Sequence, residues 1–327
     1  MKLLEIQELG TSFRTGRDTV KAIDGVSFAV GEGERVALVG ESGCGKSVTM
    51  QSILRLYDER KLVHYSGKIY YKGKDLLSLP QKDMQHIRGK EIAMVFQDAL
   101  SALDPIFTIE DQITESIKLH QGLSGRAAQE AAADMLQLAG ISDPYRRLGQ
   151  YPFELSGGMR QRVMIAISLS CRPNLLIADE PTSALDVTIQ AQIMELIMDL
   201  NRKLNMAVIL ITHDLAIVAE TCTWALVMYL GQIVEEAPVK DLFSAPQHPY
   251  TLALIRSIPK ITGERPKRLY AIEGMVPLLN NIPAGCRFAP RCPLTEERCR
   301  QENPLLISIP KENDRRHKSR CWRAGEL

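Results

Sequence analysis

Within eight residues the chain sets Gly40, Glu41, Ser42, Gly43, Cys44, Gly45, Lys46 and Ser47 in the order G-x-x-x-x-G-K-[ST]. Residues of these types at this spacing bind phosphate. A glycine-rich turn turns its backbone N–H groups inward, and a helix starting at the end of the turn adds the positive end of its dipole. Lys46 then reaches the β- and γ-phosphates, and the Ser47 hydroxyl ligates Mg²⁺. A second chemical feature is Leu175-Leu-Ile-Ala-Asp-Glu180, an apolar run ending in two carboxylates. Buried strands seldom end in paired acids without reason, because unpaired charges are costly to bury. Asp179 suits the Mg²⁺ shell, and Glu180 suits polarising an attacking water. A third feature is Leu155-Ser-Gly-Gly-Met-Arg-Gln161, in which Ser156, Gly157 and Gly158 open a helical run. It forms a second anion cradle. One chain has no need of two cradles for one nucleotide, so the second points to a site completed on another subunit.

These residues need particular elements to carry them. Arg35 to Val39 reads as a short buried strand before the glycine-rich turn, and Val48 to Leu56 as the helix after it. Residues 1 to 35 alternate apolar and polar around a turn at Arg14 to Asp18, and Gly67 to Tyr71 continues the pattern, predicting an antiparallel sheet. From about 98 to 162 strand signals disappear and helix formers dominate, which predicts a helical insertion in an α/β domain. Strands are expected at Leu175 to Ala178, Ala207 to Thr212 and Trp224 to Tyr229, with a helix at Val187 to Asn205 and a hairpin return at Gly231 to Glu235. Beyond Pro259 prolines recur and helical periodicity fades, which places a boundary near 258.

Taken together, the motifs resemble an ATP-binding-cassette ATPase, with LSGGM-R-Q as the family's signature, over residues 3 to 257. On that resemblance the fold is a P-loop NTPase domain, residues 1–258, with an antiparallel β subdomain and a helical subdomain. A small Cys-rich extension, 259–327, follows. Gln97 matches the Q-loop, which contacts the γ-phosphate and joins Ser47 and Asp179 around Mg²⁺. Ser183, Ala184, Leu185 and Asp186 match the D-loop, and His213 matches the switch histidine. Val48 closes the ATP-binding run, Gln161 closes the signature, and Phe13 is the candidate for stacking on adenine. One departure is Asp98 to Pro105, where relatives usually have a proline-methionine pair and an asparagine. Cys44 inside the loop implies sensitivity to thiol reagents, without a nucleophilic role.

His248-Pro-Tyr-Thr251 and Gly285-Cys-Arg-Phe-Ala-Pro-Arg-Cys-Pro293 narrow the resemblance to the oligopeptide/dipeptide importer ATPases, as the D-type member of a D/F pair. The resemblance implies a heterodimer with a homologous ATPase, two membrane-spanning permease subunits and an extracytoplasmic solute-binding protein. It also implies a peripheral place on the cytoplasmic face of the bacterial plasma membrane. Cargo is read as di- or oligopeptides, with nickel chelates, glutathione or metallophores as the alternative. In the subfamily, Cys286, Cys292, Cys299 and Cys321 are associated with a [4Fe–4S] cluster. Their spacing, C-x₅-C-x₆-C and then a longer gap, does not decide between that cluster, structural zinc and no metal.

Composition limits the other classes. Lys plus Arg is 40 against 39 Asp plus Glu, which gives no basic surplus for a nucleic-acid partner. The competing reading, a cassette acting on nucleic acid or ribosomes, usually needs two cassettes or long coiled-coil insertions, and neither is seen. A cassette that binds without hydrolysing conflicts with Glu180 and His213. No apolar run is long enough for a membrane span, and Met1 to Glu5 lacks a leader's apolar region, so a cytosolic protein without disulfides is expected.

Overall fold

The computed structural model describes residues 2–16, 18–183, 186–258, 270–279, 281–309 and 316–327. In chain order the first strands are β1 (Lys2–Thr15), β2 (Asp18–Gly31), β3 (Arg35–Val39), β4 (Val63–Tyr71), β5 (Lys74–Asp75) and β6 (Ile92–Val95). The later ones are β7 (Leu175–Asp179), β8 (Ala207–Thr212), β9 (Trp224–Tyr229), β10 (Gln232–Pro238), β11 (Ile307–Ser308) and β12 (Lys318–Ser319). Helices α1 (Lys46–Ile53), α2 (Gln81–Ile87), α3 (Ala99–Ala102), α4 (Ile109–Gln121), α5 (Gly125–Leu138) and α6 (Pro144–Leu148) occupy the first half. They are followed by α7 (Gly157–Leu169), α8 (Val187–Leu204), α9 (Leu215–Thr221), α10 (Val239–Ser244), α11 (Pro249–Arg256) and α12 (Glu297–Gln301). Among the described residues no helix is long and apolar enough to cross a membrane.

The chain divides into two compact units. The first comprises residues 31–34 and 78–210. Its helices close around Ile109, Ile113, Ile117, Ala132, Leu136, Leu148 and Val163, all fully or almost fully buried. Alanines on α5 let the neighbouring helices approach closely, and Thr108 caps α4 in a reciprocal box with Asp111. In the same unit β6 and β7 pair in parallel, with Val95 opposite Ala178. Both strands are buried on both faces, as parallel pairing requires, and are apolar up to Asp179 at the end of β7.

The second unit holds residues 2–30, 35–77 and 211–327. One sheet runs β2-β1-β4-β5, with a register shift between Gln7 and Gly10 where β1 meets β4. In the other, β3 lies parallel to β9, β9 antiparallel to β10, and the last strands extend it in the order β10-β12-β11. The expected return at Gly231 to Glu235 is longer than anticipated and continues to Pro238. Its acids are buried because the C-terminal strand pairs with them. His317 Nε2 lies 2.7 Å from Glu235 Oε1, and Lys318 pairs with Glu236 at 2.5 Å.

The helix after the phosphate loop also differs from expectation. It spans Lys46–Ile53, not Val48 to Leu56. Arg55 stops it by adopting φ +50. Its buried guanidinium donates to the Leu76 carbonyl at 2.9 Å and grips Glu59.

Candidate functional site

In the second unit the phosphate loop joins β3 to α1, and its glycines are required by geometry. Gly40 has φ +153, and a Cβ there would stand 2.2 Å from the Met228 carbonyl oxygen of β9. Gly45, at φ +107, is the cap residue of α1. Gly43, at φ +77, faces open space, as a loop that must admit a ligand would need. Lys46 is buried and bends back over the loop, donating to the carbonyls of Gly40 at 2.8 Å and Glu41 at 3.0 Å. Ser42 is exposed, and Ser47 and Val48 are half-buried on the first turn of the helix.

Cys44 does not behave as the sequence implied. It is fully buried, and desolvation pushes its thiol up from the ordinary value despite nearby Lys46. Its carbonyl takes the Gly231 N–H at 2.8 Å. A neutral thiol that solvent does not reach is a poor target for thiol reagents, contrary to the sensitivity that the sequence implies. Phe13 is half-exposed on β1, with its ring edge-on to Tyr57 at 4.8 Å. His213 follows β8 directly and is exposed. The next residue, Asp214, caps α9 through the Ala216 and Ile217 N–H groups.

The first unit gathers the remaining residues. Asp179 ends β7 and is buried. Glu180 comes next with φ +44, a left-handed backbone that costs a non-glycine residue about 1–3 kcal/mol. Strain of this kind persists only where the surroundings enforce it. Gln97, just beyond β6, donates its Nε2 to Glu180 Oε2 at 3.1 Å. The buried Gln161 amide donates to the Pro181 carbonyl at 2.5 Å, so the signature helix α7 holds the segment after Glu180. Ser156 is the cap of α7, accepting the Met159 N–H at 3.3 Å. Gly157 is exposed. A Cβ at Gly158 would press on Ile189 Cγ2 at 3.0 Å. Asp186 caps α8 by accepting the Ile189 N–H at 3.0 Å, and Ser183 is exposed. Ala184 and Leu185 lie outside the described residues.

Sequence reasoning missed how the C-terminal segment is attached. Arg291 carries two N–H groups to the two carboxylate oxygens of Glu41, at 2.6 and 2.9 Å. The Glu41 N–H donates to Tyr250 Oη at 2.8 Å. Arg287 pairs with Asp24 and donates to the Leu230 carbonyl. His248 caps α11 by accepting the Tyr250 N–H on Nδ1, and burial pushes it down to about 3, so the ring is neutral. Phe288 is wedged between Tyr229 and Tyr250. Both arginines and Tyr250 lie inside motifs whose cysteines and family likeness dominate a reading of the sequence. The one available signal was a pair of arginines among otherwise small and apolar residues.

Cys286, Cys292, Cys299 and Cys321 line one small cavity with His248, Leu294 and Trp322, partly open to solvent. The Cys286 N–H donates to the Cys299 carbonyl at 2.7 Å. Burial raises the thiols of Cys286 and Cys292, and pushes Cys321 up to about 11. Among the described residues, no three or more His, Cys, Asp or Glu side chains are grouped so as to hold one metal ion.

Residues 23–183 match the ABC transporter family, and residues 234–299 match the C-terminal region of oligopeptide/dipeptide transporters. A probable peptide ABC transporter ATP-binding protein of Sinorhizobium fredii is 49% identical over 99% of this chain and 96% of its own. The oligopeptide transport ATP-binding protein AppD of Bacillus subtilis is 50% identical, over 94% of this chain and 93% of its own. The dipeptide transport ATP-binding protein DppD of Haemophilus influenzae is 48% identical over the same shares. Among solved structures, the ATP-binding cassette MJ0796, a dimer in a post-hydrolysis state with ADP and Pi, superposes with a TM-score of 0.64. It is 27% identical, covering 72% of this chain and 98% of its own.

Proposed function

This chain belongs to the ATP-binding proteins of ABC transporters, in their oligopeptide/dipeptide branch, and on that footing we propose that it powers a peptide importer. It hydrolyses ATP to drive uptake of di- or oligopeptides or related small solutes. It sits peripherally on the cytoplasmic face of the bacterial plasma membrane, against two permease subunits fed by an extracytoplasmic solute-binding protein. A homologous second ATPase completes a heterodimer. Residues 1–258 form the ATPase domain, with its helical part at about 98–162, and 259–327 form the C-terminal extension.

The roles follow family membership. The loop from Gly40 to Val48 cradles the phosphates, with Lys46 as their counter-charge and Phe13 on the adenine. Ser47, Gln97 and Asp179 are the residues that would ligate Mg²⁺, and the ion would offset phosphate charge. Glu180 polarises the attacking water, and His213 attends the γ-phosphate. Ser156, Gly157 and Gly158 serve the partner's nucleotide, with the D-loop Ser183 to Asp186 beside them, while Gln161, which closes the signature, is buried and anchors the Pro181 carbonyl. The observation that carries hydrolysis, as opposed to binding alone, is Glu180. It has a strained backbone and a carboxylate held by Gln97. Positioning and electrostatics account for most phosphoryl-transfer catalysis, so no covalent intermediate is invoked.

We also infer that the four cysteines hold a [4Fe–4S] cluster. Four thiols lining one cavity suit either an iron–sulfur cluster or structural zinc, and the subfamily resemblance favours the cluster. When bound, such a group would cross-link segments of a tail with few core residues. The test of the ATPase assignment is Glu180→Gln in the assembled transporter. Turnover should fall about a hundredfold or more while ATP still binds, and undiminished turnover refutes the role given to Glu180.

A further inference from the structure

We propose that Arg291 is a positioning residue for the phosphate loop, clamping Glu41 from the C-terminal segment so that ATP affinity depends on that segment. The inference rests on the ATPase reading above. The Arg291 side chain is only 4% exposed, against 27% for Glu41. Its two forked N–H groups meet both carboxylate oxygens, while Nε donates to the Glu273 carbonyl at 3.0 Å. Nη1 also reaches Tyr229 Oη at 3.3 Å. The guanidinium is therefore fixed on several sides before it grips Glu41. A bidentate charge-assisted pair partly shielded from solvent is directional, and lysine cannot reproduce the fork.

What Arg291 holds bears on the phosphate site. Glu41 is the second residue of the loop. Its side chain goes to Arg291, its N–H to Tyr250, and its carbonyl accepts from Lys46 Nζ at 3.0 Å. The contacts thus run from Arg291 through Glu41 to the lysine that meets the phosphates. Arg291 closes a short 3₁₀ turn, Ala289–Arg291, and Cys292 is its next residue. The turn that holds the phosphate loop thus runs directly into the lining of the cysteine-lined cavity. A purely structural salt bridge would stabilise the fold and leave nucleotide affinity alone, whereas this one sets the loop's geometry.

The experiment is equilibrium titration of the purified protein with a fluorescent N-methylanthraniloyl ATP and Mg²⁺, with KM and kcat measured in the assembled transporter. Arg291→Ala should weaken binding about fivefold or more, raising KM for ATP with kcat at saturation held within about twofold. Arg291→Lys should recover only part of the loss. Glu41→Ala approaches the pair from the loop side and leaves the cysteine turn untouched, so it serves even if Arg291→Ala folds poorly. It should weaken binding to a similar degree, and the double variant should be no worse than either single change. Wild-type affinity in both single variants, or losses that simply add, would overturn the proposal. A wild-type protein that fails to bind the probe would instead overturn the ATPase reading.

Discussion

Alanine at each of the three phosphate-loop glycines should destabilise the protein in the order Gly40, then Gly45, then Gly43. All three have positive φ, at +153, +107 and +77. A left-handed backbone costs an L-residue about 1–2 kcal/mol, and at Gly43, where a Cβ meets nothing within 4 Å, that is the whole effect. At Gly45 the new Cβ would lie 2.8 Å from Ile23 Cδ1, the tip of a side chain that can turn aside, and 3.2 Å from the Ala22 carbonyl oxygen. Crowding there adds about 1 kcal/mol. At Gly40 it would lie 2.2 Å from the Met228 carbonyl oxygen, in a buried strand paired with β3. The backbone itself must shift, adding about 2–3 kcal/mol. At about 2 °C per kcal/mol for a chain of this size, melting should fall by about 2–4 °C for Gly43→Ala, 4–6 °C for Gly45→Ala and 6–10 °C for Gly40→Ala. The assay is thermal melting followed by circular dichroism without nucleotide, because bound ATP would add its own stabilisation. Equal losses at Gly43 and Gly40, or a Gly40→Ala protein that melts like the wild type, would refute the reasoning.

Gln161→Leu removes the buried amide that donates to the Pro181 carbonyl. That leaves a buried acceptor unpaired, at about 1–3 kcal/mol, beside the strained Glu180. ATP turnover should drop several-fold with nucleotide binding retained, and unchanged turnover would show that the anchor does not position Glu180. Protein purified without oxygen should carry about four irons and four sulfides with a broad visible absorbance, lost in Cys292→Ser or Cys321→Ser. One zinc and no iron would rule out the cluster.

The phosphate loop was legible because its chemistry is contiguous. Eight consecutive residues carry the turn, the cation and the hydroxyl, and the flanking strand and helix are marked by local pattern. The strands β7, β8 and β9 were legible for the same reason, each being an apolar run buried on both faces. The C-terminal segment was not, because its information is non-local. Asp24 and Arg287 are 263 residues apart and Glu41 and Arg291 are 250 apart, so neither ion pair leaves a trace in any sequence window. Strands of two residues, such as β11 and β12, are too short to show periodicity. Glu180 lies between these extremes. Two acids closing an apolar strand are visible in the sequence, but a left-handed backbone at a glutamate goes against local preference and appears only once neighbouring segments impose it. Gln97, 83 residues away, supplies one of those constraints through its contact with the carboxylate. Local rules thus identify which groups can do the chemistry. Long-range contacts, through Gln97 to Glu180 and through Arg291 to Glu41, decide how firmly each is held, and that is where changes outside the motifs should alter activity.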